Sequence, residues 1–296
     1  MRTRWTGVGT ALVTPFTSSE ALDERAVRRL GRRQIDAGVH FLVPCGTTGE
    51  NPTLTLAERI RIVEILVDEA AGEVPVLAGA GGYNTQEVVH LAGEMLKAGA
   101  SGLLSVAPYY NKPTQEGLYQ HFRAIAESTP LPVVLYNVPG RTSSNIEPAT
   151  LVRLAALPNV VGIKEASGNI TQMCEVCHAV PQEFIVLSGD DAVTLPLMAV
   201  GGRGVISVVS NEAPEDMVRL VELAETGDFS AARLVHDRLL PLMQVNFVES
   251  NPGPVKAAMA AMGLLYESYR LPMVSLRPES KARVLSILRL LDLIRP

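Results

Sequence analysis

Val160-Val161-Gly162-Ile163-Lys164 is a short apolar run that ends in a lysine. The chain contains eight short apolar runs, of which this is the sixth. A longer segment with helical patterning separates each run from the next. Each run is apolar on both faces, as strands of a helix-covered parallel sheet are. Together they predict an α/β fold, a (β/α)8 TIM barrel, with a doubly wound open sheet as the alternative because local patterning does not show closure. The runs span residues 7–14, 40–45, 74–79, 102–107, 132–137, 160–164, 184–188 and 204–209.

The segments between the runs carry signals for helix starts. Asp23, Thr85 and Thr114 are predicted N-caps, and Thr55 with Glu58 has the spacing of a capping box. After about residue 226 the strand signals stop and prolines interrupt the helical pattern. We therefore expect residues 1–226 to form the barrel and residues 227–296 to form a helical C-terminal subdomain packed on it.

Composition narrows the class of protein. The chain has 296 residues, enough for a substantial core, and a net charge of −5, so we expect no nucleic-acid partner. Residues 1–5 are basic, but no apolar core of a signal peptide follows, and no run approaches membrane-spanning length. Cys174 and Cys177 form a lone C-x-x-C, a weak indication of metal or redox chemistry, so we expect a structural role for them. We expect a reduced, cytoplasmic protein.

Lys164 is a candidate nucleophile. Hydrocarbon around an ammonium removes hydration that its charge needs, which lowers the pKa and leaves part of the amine neutral. A neutral amine forms a Schiff base with a carbonyl substrate. Of the lysines in the chain, only Lys164 directly follows an apolar strand. The alternative is a lysine that ends a strand and pairs with Glu165.

Other polar residues follow the predicted strands, and in a barrel they would meet Lys164 at one face. Gly46-Thr47-Thr48-Gly49 offers backbone N–H groups and two hydroxyls to a small carboxylate, or it is an ordinary glycine turn. Tyr136 can transfer a proton, or it is a packed core tyrosine. Arg141 can hold a second carboxylate by two parallel hydrogen bonds, or it is solvated. Tyr109 and Tyr110, paired in a loop, are more typical of an interface.

Eight segments stand out, in order and over nearly the whole chain: GTALVTPF, CGTTGE, PYYNKPTQEGLYQHF, YNVPGRT, VGIKEASGN, LSGDD, GGRGVISV and FVESNPGPVKAAM. They resemble the dihydrodipicolinate synthase branch of the pyruvate-dependent class I aldolases. The resemblance implies an enzyme that condenses pyruvate with L-aspartate 4-semialdehyde to 4-hydroxy-tetrahydrodipicolinate, the first committed step of diaminopimelate and lysine biosynthesis. The alternatives are a related pyruvate aldolase, such as 2-keto-3-deoxygluconate aldolase or N-acetylneuraminate lyase, and a barrel that has lost catalysis and kept a binding or regulatory role.

The resemblance also implies a role for each matched catalytic residue. Lys164 would form a covalent imine with pyruvate, and Tyr136, Thr47 and Tyr110 would relay protons to and from bulk water. No metal or organic cofactor is expected, because the lysine supplies the electron sink. The tyrosine that matches Tyr110 reaches across a subunit interface in this family. We therefore expect a dimer, usually paired into a homotetramer.

Four further residues are expected to bind substrate by the same resemblance. Thr48, with Thr47, would hold the carboxylate of pyruvate, and Arg141 would bind the carboxylate of the semialdehyde. The carbonyl of Ile206 would line the site, and Gly189 is predicted to contact the substrate at the end of the seventh strand.

The chain departs from the family at a pocket where lysine inhibits many members. Leu56, Arg59 and Tyr83 stand where those members commonly carry histidines and an asparagine, although Glu87 and Tyr109 remain. A cationic Arg59 should repel the lysine ammonium. We therefore predict weak or absent inhibition by lysine.

Overall fold

A computed structural model describes residues 5–295, so residues 1–4 and 296, at the outer ends of the two predicted units, lie outside the described part. The strands are Gly7–Ala11 (β1), Phe41–Val43 (β2), Leu77–Gly79 (β3), Gly102–Val106 (β4), Val133–Asn137 (β5), Val160–Glu165 (β6), Ile185–Ser188 (β7) and Gly204–Ser207 (β8). The helices before β8 are Glu24–Asp36 (α1), Leu56–Ala70 (α2), Thr85–Lys97 (α3), Gln115–Glu127 (α4), Pro139–Thr142 (α5), Pro148–Ala155 (α6), Ile170–Ala179 (α7) and Thr194–Ala199 (α8). The helices after β8 are Pro214–Glu225 (α9), Phe229–Val245 (α10), Gly253–Ala261 (α11) and Pro278–Leu290 (α12).

Every predicted run contains a strand, which confirms the alternation read from the sequence. The ends differ by up to three residues, as at β1, which ends at Ala11 rather than at residue 14. Leu12 still donates its N–H to the Val43 carbonyl at 3.1 Å. Extended backbone thus continues past the regular ladder, and sequence patterning alone does not locate that end.

The eight strands form one parallel sheet in the order β2-β1-β8-β7-β6-β5-β4-β3. The two outer strands of this order meet, because Leu42 N–H donates to the Pro75 carbonyl at 3.0 Å and Gly79 N–H donates to the Pro44 carbonyl at 2.9 Å. A Cβ on Gly79 would lie 2.0 Å from the Cys45 carbonyl oxygen, so only glycine permits this approach. The sheet therefore closes into a barrel, and the open-sheet alternative is wrong.

Side chains fill the inside of the barrel, as expected for a TIM barrel. Trp5 is buried at the start of the chain and packs edge-on against Phe41, with ring centroids 5.7 Å apart. The interior cluster also holds Tyr136, so the packed interior reaches one of the predicted catalytic residues. Its other buried members are Ala11, Val43, Leu77, Leu104, Val134, Val138, Ile185, Leu187 and Ile206.

A β-bulge on β6 sets the direction of Lys164. Val133 of β5 pairs with Val160, but the next residue, Val134, pairs with Gly162, so β6 carries one extra residue. Val160 and Ile163 both pack in the cluster outside the barrel, which strict alternation along a strand does not allow. Beyond the bulge the alternation resumes, and Lys164 faces inward.

Most predicted helix starts are confirmed. Asp23 caps α1, Thr114 caps α4, and Thr55 with Glu58 forms the capping box of α2. The prediction for Thr85 is wrong, because Asn84 accepts the hydrogen bond from the Gln86 N–H and is the N-cap of α3. The Thr85 hydroxyl lies 2.9 Å from Nδ1 of His121 instead.

Only helices follow β8 in the part of the chain up to residue 295, in agreement with the predicted helical C-terminal part. Leu220 of α9, Leu239 of α10 and Val284 of α12 belong to one buried cluster. The helix before the predicted boundary thus shares a core with the helices after it, and the division at residue 226 remains a prediction. Within residues 5–295, no helix is both long enough and apolar enough to cross a membrane.

Candidate active site

Lys164 lies inside the barrel near the carboxyl end of β6, with only 5 % of its surface exposed. Its Nζ is 4.3 Å from the centroid of the Tyr136 ring, and these two residues are register partners on β6 and β5. Burial lowers the pKa of Lys164 to about 8; the Asp191 carboxylate acts in the opposite direction and the Arg141 charge lowers it further. With that pKa about one tenth of the amine is neutral at pH 7.

The alternative interpretation, an ion pair with Glu165, is wrong. The buried Glu165 side chain accepts hydrogen bonds from Asn137 Nδ2 at 3.0 Å and from the Ser167 N–H at 2.7 Å. Neighbouring residues of a strand face opposite sides of the sheet, so Glu165 points away from the barrel interior. In the described range 5–295, Lys164 forms no ion pair. Its ammonium is therefore buried without a directly bound counter-charge.

Tyr136 is buried against Lys164 and forms a hydrogen bond with the side chain of Thr47. Burial raises the pKa of the Tyr136 phenol, while the Arg141 charge and the Thr47 hydrogen bond lower it. The phenol is thus a neutral proton donor at pH 7 that contacts a lysine on one side and a hydroxyl on the other. This arrangement suits proton transfer at a lysine-bound carbon or oxygen.

Residues 46–49, which we call the hydroxyl loop, follow β2. The loop closes on itself, because the Gly49 N–H donates to the Gly46 carbonyl and the Glu50 N–H donates to the Thr47 carbonyl, both at 3.1 Å. The N–H groups of Thr47 and Thr48 have no acceptor within the described range of the chain. Two free N–H groups beside two hydroxyls are typical of a site for a small carboxylate, and binding of a carboxylate here remains a prediction.

A cavity of about 210 Å³ opens at the carboxyl ends of the strands. Thr47, Tyr136 and Arg141 all contribute to its wall, so the barrel brings these predicted residues together. Arg141 is exposed, and its Nη2 lies 3.4 Å from the Asn251 carbonyl oxygen. The guanidinium is thus held at the mouth of the cavity with donors left for a carboxylate.

Gly189 lies against the stem of the buried lysine, and Ile206 lies in the barrel interior. A Cβ on Gly189 would be 3.0 Å from Cε of Lys164 and 2.7 Å from Cβ of Ala166, so glycine leaves room for the lysine stem. Ile206 lies on β8 and belongs to the same interior cluster as Tyr136. Contact of either residue with a substrate remains a prediction.

Tyr110 is the predicted catalytic residue that lies apart from the others. Its side chain is 89 % exposed, and its backbone is left-handed with φ of +71°. Tyr109 instead lines the cavity and packs edge-on against Tyr83, with centroids 5.2 Å apart. Tyr110 therefore projects from the surface of its own chain.

The residues of the predicted lysine-inhibition pocket do lie together. All five line a surface cavity next to the active-site cavity. Arg59 donates from Nη2 to the Asn51 carbonyl at 2.9 Å, and its buried Nε has no partner within residues 5–295. A cation thus lies in the wall of this cavity. The five residues are Leu56, Arg59, Tyr83, Glu87 and Tyr109.

Sequence reasoning missed three residues that support the hydroxyl loop. Glu50 and Lys256 form a fully buried ion pair, with Oε1 and Nζ 2.5 Å apart. Asn251 donates from Nδ2 to the Thr48 hydroxyl at 3.0 Å. The signal available was a lysine inside the apolar stretch Pro254–Met259, where a cation needs a partner, but the sequence does not identify that partner.

Cys174 and Cys177 are both free thiols on α7. Burial raises the pKa of the Cys177 thiol to about 11, so this thiol is protonated at neutral pH. Among residues 5–295, no group of three or more His, Cys, Asp or Glu side chains is arranged to hold a metal ion.

Comparison with known proteins places this chain in a family. A curated 4-hydroxy-tetrahydrodipicolinate synthase from Koribacter versatilis (strain Ellin345) is 53 % identical over 279 residues, which cover 94 % of this chain and 93 % of that protein. The crystal structure of dihydrodipicolinate synthase from Thermotoga maritima is 45 % identical with a TM-score of 0.97, covering 99 % of this chain and 100 % of that one. A chloride-inhibited dihydrodipicolinate synthase from Acinetobacter baumannii, complexed with pyruvate, is 38 % identical with a TM-score of 0.96, covering 98 % and 99 %. The model of the dihydrodipicolinate synthetase family matches residues 4–291, and the chain belongs to this family.

Proposed function

We propose that the chain condenses pyruvate with L-aspartate 4-semialdehyde to 4-hydroxy-tetrahydrodipicolinate through an imine on Lys164. The observation that carries this proposal is the buried Lys164, which lies against the Tyr136 ring and forms no ion pair within residues 5–295. The curated relative with 53 % identity bears the name of this activity. The reaction is that of a lyase of the class I aldolase type.

The chemistry starts with attack of the neutral Lys164 amine on the ketone carbon of pyruvate, followed by loss of water to give the imine. The two free N–H groups of the hydroxyl loop support binding of the pyruvate carboxylate. The protonated imine nitrogen accepts electrons when the methyl group loses a proton, and the resulting enamine attacks the aldehyde. The amine of the adduct then closes the ring and displaces Lys164. This sequence requires no metal or organic cofactor.

Tyr136 and Thr47 are proposed to move the protons of these steps. Tyr136 contacts both Lys164 and Thr47, so it can exchange a proton with the imine site and pass it toward the cavity. The third member of the relay, Tyr110, points away from its own site with 89 % of its surface exposed. We propose that it completes the site of a second copy of the chain, so that the active unit is a dimer.

Complementation between two inactive variants tests this arrangement. A mixture of Lys164→Met and Tyr110→Phe chains forms heterodimers in which one site has an intact Lys164 and receives an intact Tyr110. At a one-to-one ratio with free exchange, activity should recover to about one quarter of the wild-type value. No recovery, with exchange demonstrated by mass spectrometry, would refute a shared site.

Pairing of dimers into a tetramer is a separate proposal. Ile170 of α7, Val200 after α8 and Leu234 of α10 are 44 %, 39 % and 68 % exposed on helices that pack together. Exposed apolar side chains of this kind fit a second contact between copies. Sedimentation of a Leu234→Glu variant should give a dimer where the wild type gives a tetramer, and a wild-type dimer would refute the proposal.

Arg141 favours aspartate semialdehyde over the sugar-derived aldehydes of sister aldolases. A guanidinium at the cavity mouth matches a second carboxylate, whereas a sugar aldehyde needs partners for its hydroxyl groups. A barrel without catalysis is disfavoured, because Lys164, Tyr136, Thr47 and Tyr110 are all present. Turnover of aspartate semialdehyde compared with glyceraldehyde and N-acetylmannosamine separates these functions.

Borohydride trapping tests the imine itself. The purified protein is mixed with pyruvate, reduced, and examined by intact mass and peptide mapping. We expect one reduced pyruvate adduct per chain, on Lys164. The equally buried Lys256 serves as an internal control, because its ammonium is paired with Glu50 and should not react. A folded protein without an adduct, or with the adduct on Lys256, would contradict the proposed mechanism.

A further inference from the structure

The buried ion pair between Lys256 and Glu50 joins the C-terminal helices to the barrel. Lys256 lies on α11, and at most 1 % of either side chain is exposed. The Lys256 ammonium also lies 4.3 Å from the ring centroid of Phe16 and 5.3 Å from that of Tyr269. Removal from water lowers the pKa of Lys256, while the Glu50 carboxylate raises it.

Arg270 reinforces the same connection from the surface side. It forms two hydrogen bonds with the Glu58 carboxylate, at 2.8 and 2.6 Å, and its Nη1 donates to the Thr53 carbonyl at 3.1 Å. Its backbone N–H lies 3.5 Å from Oε2 of Glu50. The C-terminal part of the chain thus holds the segment that follows the hydroxyl loop at both ends.

A gain in folding stability alone does not explain why the chain carries a buried ion pair. Two apolar or neutral side chains of similar volume often replace a buried ion pair without loss of stability, because desolvation of the charges offsets their attraction. A directional contact between two charges fixes geometry instead. What the geometry fixes here is Glu50, whose backbone is left-handed, with φ of +54°.

Glu50 is the residue through which the pair reaches the substrate-binding groups. Its N–H donates to the Thr47 carbonyl at 3.1 Å, which sets the orientation of the peptide that carries the free Thr48 N–H. Asn251, five residues before Lys256, donates to the Thr48 hydroxyl at 3.0 Å. A shift of Lys256 or of Asn251 therefore moves the groups proposed to hold the pyruvate carboxylate.

We propose that Lys256 is a positioning residue for pyruvate, which holds the hydroxyl loop in its carboxylate-binding conformation through Glu50. This inference rests on the proposed function, because it takes the bound molecule to be pyruvate. It assigns a role to the C-terminal helices: they complete the binding site from outside the strands of the barrel.

The test replaces both charges at once. The double variant Glu50→Gln with Lys256→Met leaves no unpaired buried charge, so we expect it to fold with a thermal midpoint close to that of the wild type. Its kcat/KM for pyruvate should fall about 10- to 100-fold, mainly through a higher KM, because small misplacements of binding groups cost that much. Saturating pyruvate should still give the reduced adduct on Lys164, since β6 is not part of this connection.

A matched control removes a pair of the same composition elsewhere in the C-terminal part. Lys281 and Glu267 form a partly exposed pair 2.6 Å apart, and Glu267→Gln with Lys281→Met should leave the KM for pyruvate unchanged. A folded Glu50/Lys256 double variant with wild-type KM would overturn the inference, as would an equal rise of KM in the control.

Two cases need separate treatment: a double variant that does not fold, and a wild-type protein that forms no pyruvate adduct. If the double variant does not fold, Glu50→Gln with Lys256→Leu takes its place, because it also leaves no buried charge unpaired, and an unchanged KM for pyruvate in that folded variant overturns the inference. If wild-type protein gives no pyruvate adduct, the proposed function fails first. An adduct in the wild type with no effect in the variants refutes only the positioning role.

Discussion

Replacement of Lys164 by methionine should make the protein more stable at neutral pH while abolishing the proposed activity. The ordinary pKa of a lysine is 10.5, and burial lowers that of Lys164 to about 8 in the folded chain. At about 1.36 kcal/mol per pKa unit, the buried ammonium costs the folded state about 3 kcal/mol where both states are protonated. Methionine has a similar length and carries no charge, so it removes this cost.

The stabilisation by Lys164→Met should decrease as the pH rises. The folded-state pKa lies below the unfolded-state pKa, so the cost is complete below pH 8 and disappears as the pH rises from about 8 to 10.5. The stabilisation by Lys164→Met should therefore be about 3 kcal/mol at pH 7 and shrink toward the contribution of packing alone near pH 10.5. Groups that titrate in both proteins cancel in this difference.

Urea unfolding at fixed protein concentration, repeated between pH 7 and 10.5, measures the difference in free energy of unfolding. Lys97→Met is the control, because the Lys97 side chain is 73 % exposed and keeps its hydration in both states. A difference for Lys164→Met that stays constant with pH, or a variant less stable than the wild type at pH 7, would refute the reasoning that this lysine is strained by burial.

Three other predictions follow from the site. Gly189→Ala should lower kcat about tenfold or more with the fold retained, because its methyl group would lie 3.0 Å from Cε of Lys164; circular dichroism and steady-state kinetics check this. Arg141→Ala should raise the KM for the semialdehyde, and an unchanged KM would disprove its role. The same variant should move the acidic limb of the pH–rate profile to higher pH, because Arg141 lowers the pKa of Lys164. Lysine should inhibit weakly or not at all, because Arg59 lies in the wall of the neighbouring cavity, and submillimolar inhibition in a kinetic assay would contradict this.

The fold was predictable because its signals are local. Eight apolar runs with helical segments between them are enough to place every strand, and the caps at Asp23 and Thr55 locate helix starts within a residue. Closure is not a local property: it depends on hydrogen bonds of Leu42 and Gly79 across a seam between β2 and β3. The bulge that turns Lys164 inward is equally invisible, since Val160-Val161-Gly162 reads as an ordinary strand.

Sequence position explains why some candidate residues lie at one end of the barrel, whereas residues held by long-range pairing could not be predicted. Lys164, Tyr136 and Thr47 each follow or end a strand, so barrel geometry alone brings them to one face. Lys256 follows a proline turn in the sequence, and nothing near it indicates that Glu50, 206 residues away, provides its counter-charge. A contact of that separation is determined by the packing of α11 on the barrel.

The two buried lysines differ in what surrounds their charge, and this difference decides which of them can be a nucleophile. The Glu50 carboxylate opposes the lowering of the Lys256 pKa by burial, and loss of the Lys256 proton would leave that carboxylate buried without its paired cation. Loss of a proton from Lys164 leaves no directly paired carboxylate behind and relieves the cost of its own burial. Burial alone therefore does not produce a reactive amine. The combination of burial with the absence of a directly bound carboxylate does, and within residues 5–295 that combination favours Lys164 over Lys256.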